Sequence, residues 1–225
     1  ISKQEARQAL GWQKNEQVLL FFGFVNWFKG ADFFVDSFAQ VKKLLDRPAR
    51  FVIAGGKSPT MAGKGFYEDY FRQVTDSINQ SAKVEMTGYV PQEKIALYFA
   101  AADLIVFPYR DLMCASGVLS LAFSYHKPLL ISAELQSILQ DKEVKAALKK
   151  CALKKSDLIF DLTAADLINQ TTNVLADGIQ AKTIAFTKLM SEQKSFAKTA
   201  ILYDEALFAQ DLSVKVSKLA WNYEK

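Results

Sequence analysis

Two short stretches carry the residue types that hold phosphate. The first, Gly23-Phe24-Val25-Asn26-Trp27-Phe28-Lys29-Gly30, follows an apolar run and precedes a segment of helical period. Glycine lets backbone approach a ligand closely, the unpaired N–H groups at a helix start favour an anion, and Lys29 adds a full positive charge. The second, Cys114-Ala115-Ser116-Gly117-Val118, also opens a helical segment. There the N–H groups of Gly117 and Val118 and the Ser116 hydroxyl can hold another phosphate oxygen, although serine is equally an ordinary N-cap. Alone, each stretch is a weak anion site; facing one crevice, they make a diphosphate site.

The surrounding pattern says which elements must bring them together. Short β-branched or aromatic runs alternate with amphipathic segments, which implies parallel strands joined by helices. Strands are expected over 17–24, 50–54, 84–87, 104–107, 129–132 and 158–160. Val18 to Phe22 are apolar without alternation, as in a strand covered on both faces. Ala31, Phe34, Phe38, Val41 and Leu45 fall on one helical stripe, predicting a helix through Leu45 that Pro48 closes. Further helices are expected around Phe71, Val74 and Ile78, after Pro91 with Ile95 and Phe99, and from Ser116 to about Tyr125.

From Ala164 the pattern is almost wholly helical. No Pro/Gly/Ser-rich linker interrupts the chain, so one Rossmann-like domain is expected over 1–225, with an α/β body to about 163 and a helical tail over 164–225. In an open parallel sheet, ligands bind outside the carboxyl ends of the strands, which directs attention to the loops beginning at Gly23, Gly55, Gly88 and Pro108. If the sheet is doubly wound, its first and fourth strands flank the switch point, and Lys29 meets Ser116 and Gly117 across one crevice.

Composition narrows the function classes. Hydrophobic residues make up 50% of the 225 and charged residues 23%, with 10 Gly and 5 Pro, which excludes disordered and low-complexity classes. The net charge is +4, and six lysines fall between Lys142 and Lys155, but Val144, Ala147 and Leu148 interleave with them at helical spacing. That is a solvated helix face, and no nucleic-acid partner is expected. Cys114 and Cys151 form no CxxC or Cys/His spacing, so free thiols in a reducing cytoplasm and no metal are expected. The longest apolar run, 18–25, is far short of the roughly 18 residues that cross a bilayer. The chain opens on Ile1 with no charged and apolar leader, which reads as a segment of something longer and not as a secretory precursor.

Several lookalikes fail. Gly56-Lys57-Ser58 imitates the end of a P-loop, but Phe51 stands where that motif needs glycine. No GxGxxG follows the first strand, which argues against a dinucleotide. Ser116 has no GxSxG elbow, and His126, the only histidine, is expected at the far end of the helix that follows, so a hydrolase triad is not expected.

One ordered set of motifs does resemble a known family. Leu19-Leu20-Phe21-Phe22-Gly23-Phe24-Val25, Lys29-Gly30-Ala31-Asp32, Val52-Ile53-Ala54-Gly55, Gly88-Tyr89-Val90-Pro91, Ala102-Asp103-Leu104-Ile105-Val106-Phe107-Pro108-Tyr109-Arg110 and Ser116-Gly117-Val118-Leu119, with Lys127-Pro128, resemble the C-terminal half of the group 1 retaining glycosyltransferases. Ser195 to Ala200 looks like that family's late Ser-Trp helix. The resemblance implies half of a GT-B fold, whose second Rossmann-like domain binds the nucleotide-sugar donor while an N-terminal domain, absent from this chain, binds a saccharide or lipid-linked acceptor. By that analogy Lys29 neutralises the donor diphosphate, Ser116 and Gly117 hold its distal phosphate, and Tyr89 with Val90 receives the base. Gly23, Phe24, Asn26, Gly55, Arg110 and Val118 complete the implied donor site.

No cofactor or metal is then required. The expected setting is the cytoplasm, with peripheral association at the inner face of the membrane for a longer protein working on lipid-linked acceptors. Three departures stand against turnover. Asn26 replaces an arginine of the cationic clamp, Met113 and Leu121 occupy the places of a carboxylate pair, and Ala133 to Ser137 replaces a Gly-rich stretch. They motivate an alternative, a degenerate, non-catalytic relative that binds a nucleotide or a partner.

Overall fold

The computed structural model describes residues 1–194 except 39–40, 42, 45, 82–83 and 112–116. Its elements, in chain order, are α1 (Lys3–Ala9), β1 (Gln17–Phe22), α2 (Ala31–Phe38), β2 (Lys43–Leu44), β3 (Arg47–Ala54), α3 (Gly65–Gln80), β4 (Val84–Met86), α4 (Gln92–Ala101), β5 (Leu104–Phe107), α5 (Gly117–Ser124), β6 (Leu129–Ser132), α6 (Lys142–Lys150), β7 (Ile159–Phe160), α7 (Ala164–Leu175) and α8 (Asp177–Gln193). The expected helix over Ser195 to Ala200 and the rest of the tail lie outside the described residues.

The parallel strands run β4-β3-β1-β5-β6-β7 across the sheet. Numbered along the chain without β2, that order is 3-2-1-4-5-6, the doubly wound arrangement, and it reverses between β1 and β5. The missing alternation in β1 has the expected cause. Val18 and Leu20 point into one core layer and Leu19 and Phe21 into the other, all four with no exposed surface. On the second face α2 brings Phe34 and Phe38 onto Phe51, the Phe38 and Phe51 rings stacking at 4.3 Å. The helices after β7 cover both faces: α7 buries Leu167 and Val174 in the second layer, and α8 buries Phe186 and Met190 in the first.

The long α2 stripe is a correction. The helix ends at Phe38, and Lys43–Leu44 forms a short antiparallel strand on Arg47 and Pro48. Asp46, at φ 58°, makes the turn, a backbone state that aspartate tolerates better than most residues. Of the stripe residues beyond Phe38, Val41 packs against the core and Leu45 lies outside the described residues, while Leu44, which is off the stripe, is the strand residue buried there. Pro48 is the second residue of β3, ahead of Ala49 where pairing with β1 begins, so its missing N–H is tolerated. The lysine-rich segment behaves as expected, α6 burying Val144, Ala147 and Leu148 and exposing its lysines.

Lys127, just before β6, donates to the carbonyls of Ala100 and Ala102 at 2.9 and 3.0 Å, closing the end of α4. Burial, reinforced by Lys3 and Arg7 and opposed by Asp103, lowers its ammonium from an ordinary 10.5 to about 8. Between these values the unfolded chain holds a proton that the folded chain has released, so unfolding free energy gains with rising pH. Urea titrations at pH 7.5 and 9.5 should therefore show the wild type gaining stability relative to Lys127→Met across that window. Equal slopes for the two proteins would contradict the assignment.

Candidate functional site

The cleft forms where the exits of β1, β3 and β4 meet without side chains between them. The Gly23 N–H donates to the Ala54 carbonyl at 3.0 Å and the Val25 N–H to that of Gly56 at 2.9 Å, so the two loops run on beside each other past the sheet. A methyl group on Gly55 would overlap the Gly23 carbonyl, and one on Gly56 would lie 3.0 Å from the Gly88 Cα. Only glycine permits that approach.

After Asn26 the chain makes one 3-10 turn, Trp27–Lys29, closed by Gly30 at φ 69°. A side chain on Gly30 would overlap the Pro108 carbonyl, so the turn is seated directly on the exit of β5. Lys29 is thereby held between the two central strands. A Cβ built on Gly23 would lie 3.1 Å from the Lys29 Nζ and 3.6 Å from a methyl of Val118. The ammonium and the first turn of α5 thus converge on one glycine at the switch point. The opening N–H groups of α5 have no partner within the helix and favour an anion there.

A cavity of about 480 Å³ occupies the space, lined by Gly23, Phe24, Lys29, Gly55, Tyr89, Val90, Gln92, Ile95 and Val118 among others. Among the described residues, Lys29 is the one charged side chain in that lining. At its mouth Tyr89, 73% exposed, stacks on Phe24 with ring centroids 6.5 Å apart. A flat aromatic surface over an apolar floor, with a cation deeper in, suits a ligand with a planar ring at one end and negative charge at the other.

A family model for glycosyl transferases group 1 matches residues 2–133. The chain belongs to that family. A search of curated proteins found no match. Among solved structures, this group 1 glycosyltransferase chain resembles sucrose-phosphate synthase from Thermosynechococcus elongatus (TM-score 0.62, 22% identity, covering 92% of this chain and 49% of that one). It also resembles HepE from Anabaena, solved with UDP and glucose (TM-score 0.64, 17% identity, 93% and 52%). A third match is the C-terminal domain of the group 1 protein LpcC from Francisella tularensis (TM-score 0.56, 12% identity, 85% and 90%). At these identities the likeness shows the fold, the Rossmann-like half of a GT-B architecture. The chain spans about half the length of the first two structures.

The structure of this group 1 chain brings Gly23, Phe24, Lys29, Gly55, Tyr89, Val90 and Val118 to one cavity, with Gly117 opening α5 beside it. Ser116, Cys114 and Met113 lie outside the described residues. Two expected donor contacts are placed elsewhere. Asn26 is buried at 7% exposure and is not among the cavity's lining residues, and its side-chain oxygen has no hydrogen-bond partner among the described residues. Arg110 turns its guanidinium onto the Asp32 carboxylate, with two bonds of 2.8 Å, and onto the Trp27 carbonyl at 2.7 Å. Leu121, in the place of a family carboxylate, packs against the core. His126 follows the end of α5 at φ 51°.

Sequence reasoning missed two supports of the site. Tyr67 is buried, donates to the Val25 carbonyl at 2.9 Å and accepts from the Ser58 N–H at 2.5 Å, bracing the Gly23 loop from α3. Tyr70, one helical turn on, donates to Asp32 at 2.9 Å. Burial would raise the Asp32 carboxyl, but the bonds from Arg110 and Tyr70 outweigh it and hold the group below the usual carboxylate range. Their i, i+3 spacing on α3 was the available signal. The P-loop lookalike is occupied otherwise: Lys57 pairs with Glu68 at 2.5 Å.

Proposed function

We propose that this chain is the nucleotide-sugar-binding domain of a glycosyltransferase that moves a sugar from a nucleoside diphosphate onto a saccharide or lipid-linked acceptor. The convergence of the Lys29 ammonium and the start of α5 on Gly23 carries the reading. The diphosphate leaves as the glycosidic bond breaks, and negative charge grows on it in the transition state. A fixed ammonium and preoriented N–H groups stabilise that charge without reorganising at the moment of reaction. Neither a metal nor a cofactor enters this reading. The base rests against Tyr89 and Val90, at the apolar mouth. The acceptor belongs to a preceding domain of a longer protein, so the chain alone should bind donor without turning it over.

HepE was solved with UDP and with UDP-glucose, which makes UDP the first ligand to try. Calorimetric titration of the 225-residue chain should show UDP binding, and Lys29→Ala should weaken it about 10- to 100-fold, the range of a hydrogen bond to a charged group. If neither UDP nor a panel of other nucleoside diphosphates binds at millimolar concentration, the reading is withdrawn.

The second reading, a non-catalytic nucleotide- or partner-binding relative, is favoured by Asn26, which stands in the place of the arginine that the resemblance implies and whose buried side-chain oxygen has no hydrogen-bond partner among the described residues. Sugar transfer by the longer protein would exclude it.

A further inference from the structure

We infer that Arg110 is a positioning residue that holds the Lys29 ammonium in register with the start of α5. This rests on reading the cleft as a diphosphate site and goes beyond it, because Arg110 lies outside the cavity lining. Its bonds fall on both sides of Lys29. Before it, the Arg110 backbone N–H donates to the Phe28 carbonyl at 2.7 Å and the guanidinium to the Trp27 carbonyl at 2.7 Å. After it, Nη1 and Nη2 fork onto the two oxygens of Asp32, in the first turn of α2, each at 2.8 Å. Tyr70 fixes the same carboxylate from α3 at 2.9 Å. The turn that carries Lys29 is therefore tied to three elements around one guanidinium.

A positional role follows from the chemistry. Lysine is a point charge on a flexible four-carbon stem, so its ammonium is only as well placed as the backbone that carries it. That backbone is a single 3-10 turn, too short to hold itself. Arg110 also leaves the exit of β5, two residues after the Pro108 carbonyl on which Gly30 sits, and the same segment leads on to α5. Arg110 thus ties the turn that carries Lys29 to the exit of β5. Its charge is neutralised by Asp32, so it adds geometry to the cleft more than it adds field. Lysine in its place would keep the charge and lose the planar fork.

A double-mutant cycle on UDP affinity, run on the 225-residue chain, separates the roles. Arg110→Gln should weaken UDP binding about 5- to 30-fold, a coupling typical of groups in one network. Arg110→Lys should recover part of the loss, and Tyr70→Phe should shift affinity the same way by a smaller factor. In the Lys29→Ala background, Arg110→Gln should cost no more than about a further twofold, because a group that acts through Lys29 has nothing left to position. Losses that multiply would make Arg110 a direct ligand contact and overturn the inference. So would wild-type affinity in Arg110→Gln, or a fall in melting temperature in that variant with UDP affinity unchanged. If Arg110→Gln does not fold, Arg110→Lys and Tyr70→Phe carry the same cycle. Absence of UDP binding by the wild type would instead remove the diphosphate reading and this inference with it, a result distinct from Lys29-dependent binding that ignores Arg110.

Discussion

Asp103→Ala is expected to destabilise the chain by about 3–5 kcal/mol, the cost of leaving one partner of a buried ion pair uncompensated. Asp103 and Arg7 are 4% and 2% exposed. Asp103 accepts from the Arg7 Nη2 at 2.7 Å and from the Val18 N–H at 2.7 Å, and it also pairs with Lys3. Arg7 gives its remaining donors to backbone, Nε to Ala101 at 3.0 Å and Nη1 to Lys14 and Glu16 at 2.8 and 2.9 Å. The pair thus pins α1 to the start of β1 and to the end of α4. Without the carboxylate, a buried guanidinium keeps its desolvation cost and loses its counter-ion. Thermal unfolding should fall by roughly 10 °C or more at this chain length. The double variant Arg7→Met/Asp103→Leu should recover a large part of the loss, since an apolar replacement of the whole pair removes the orphaned charge. A double variant as unstable as the sum of its singles would show that packing, and not the charge, sets the cost.

The same residues show why the fold was legible and the site only partly so. Val18 to Phe22, apolar at every position, could be read as a doubly covered strand because burial on both faces removes the period-2 pattern. The alternation of strands and helices limits the topologies, and in a doubly wound sheet the switch point puts Lys29 beside the start of α5. What failed was local spacing with two solutions. Val41 and Leu45 fit a helical stripe, yet Lys43–Leu44 pairs with Arg47 and Pro48 as a hairpin. What was invisible was pairing at a distance. The family resemblance implied Arg110 as a donor contact; nothing in its neighbourhood announces Asp32, 78 residues earlier, as its partner. Arg7 and Asp103, 96 residues apart, hide in the same way. Periodicity reports which face a residue shows to the core, but it carries no signal for which polar groups meet there.

Gly55→Ala should disable the cleft and weaken the fold together, and it tests whether the floor must be bare backbone. The new methyl would overlap the carbonyl oxygen of Gly23 and crowd its carbonyl carbon. Neither side can yield as a side-chain rotamer would, because both are main chain at the ends of paired strands, β1 and β3. Overpacking of this kind costs about 3 kcal/mol or more when backbone has to move. Gly23 is also the point on which Lys29 and Val118 converge, so its displacement parts the ammonium from the start of α5. That displacement takes the ammonium and the helix start away from the diphosphate together. UDP affinity should therefore fall by more than the Lys29→Ala loss alone, with a lowered melting temperature beside it. Gly65→Ala, at the start of α3 where a methyl meets nothing within 4 Å, is the matched control and should leave both readings level. If Gly55→Ala bound UDP as the wild type does, the contact between the two loops would be incidental, and the diphosphate would have to be held somewhere other than on Gly23.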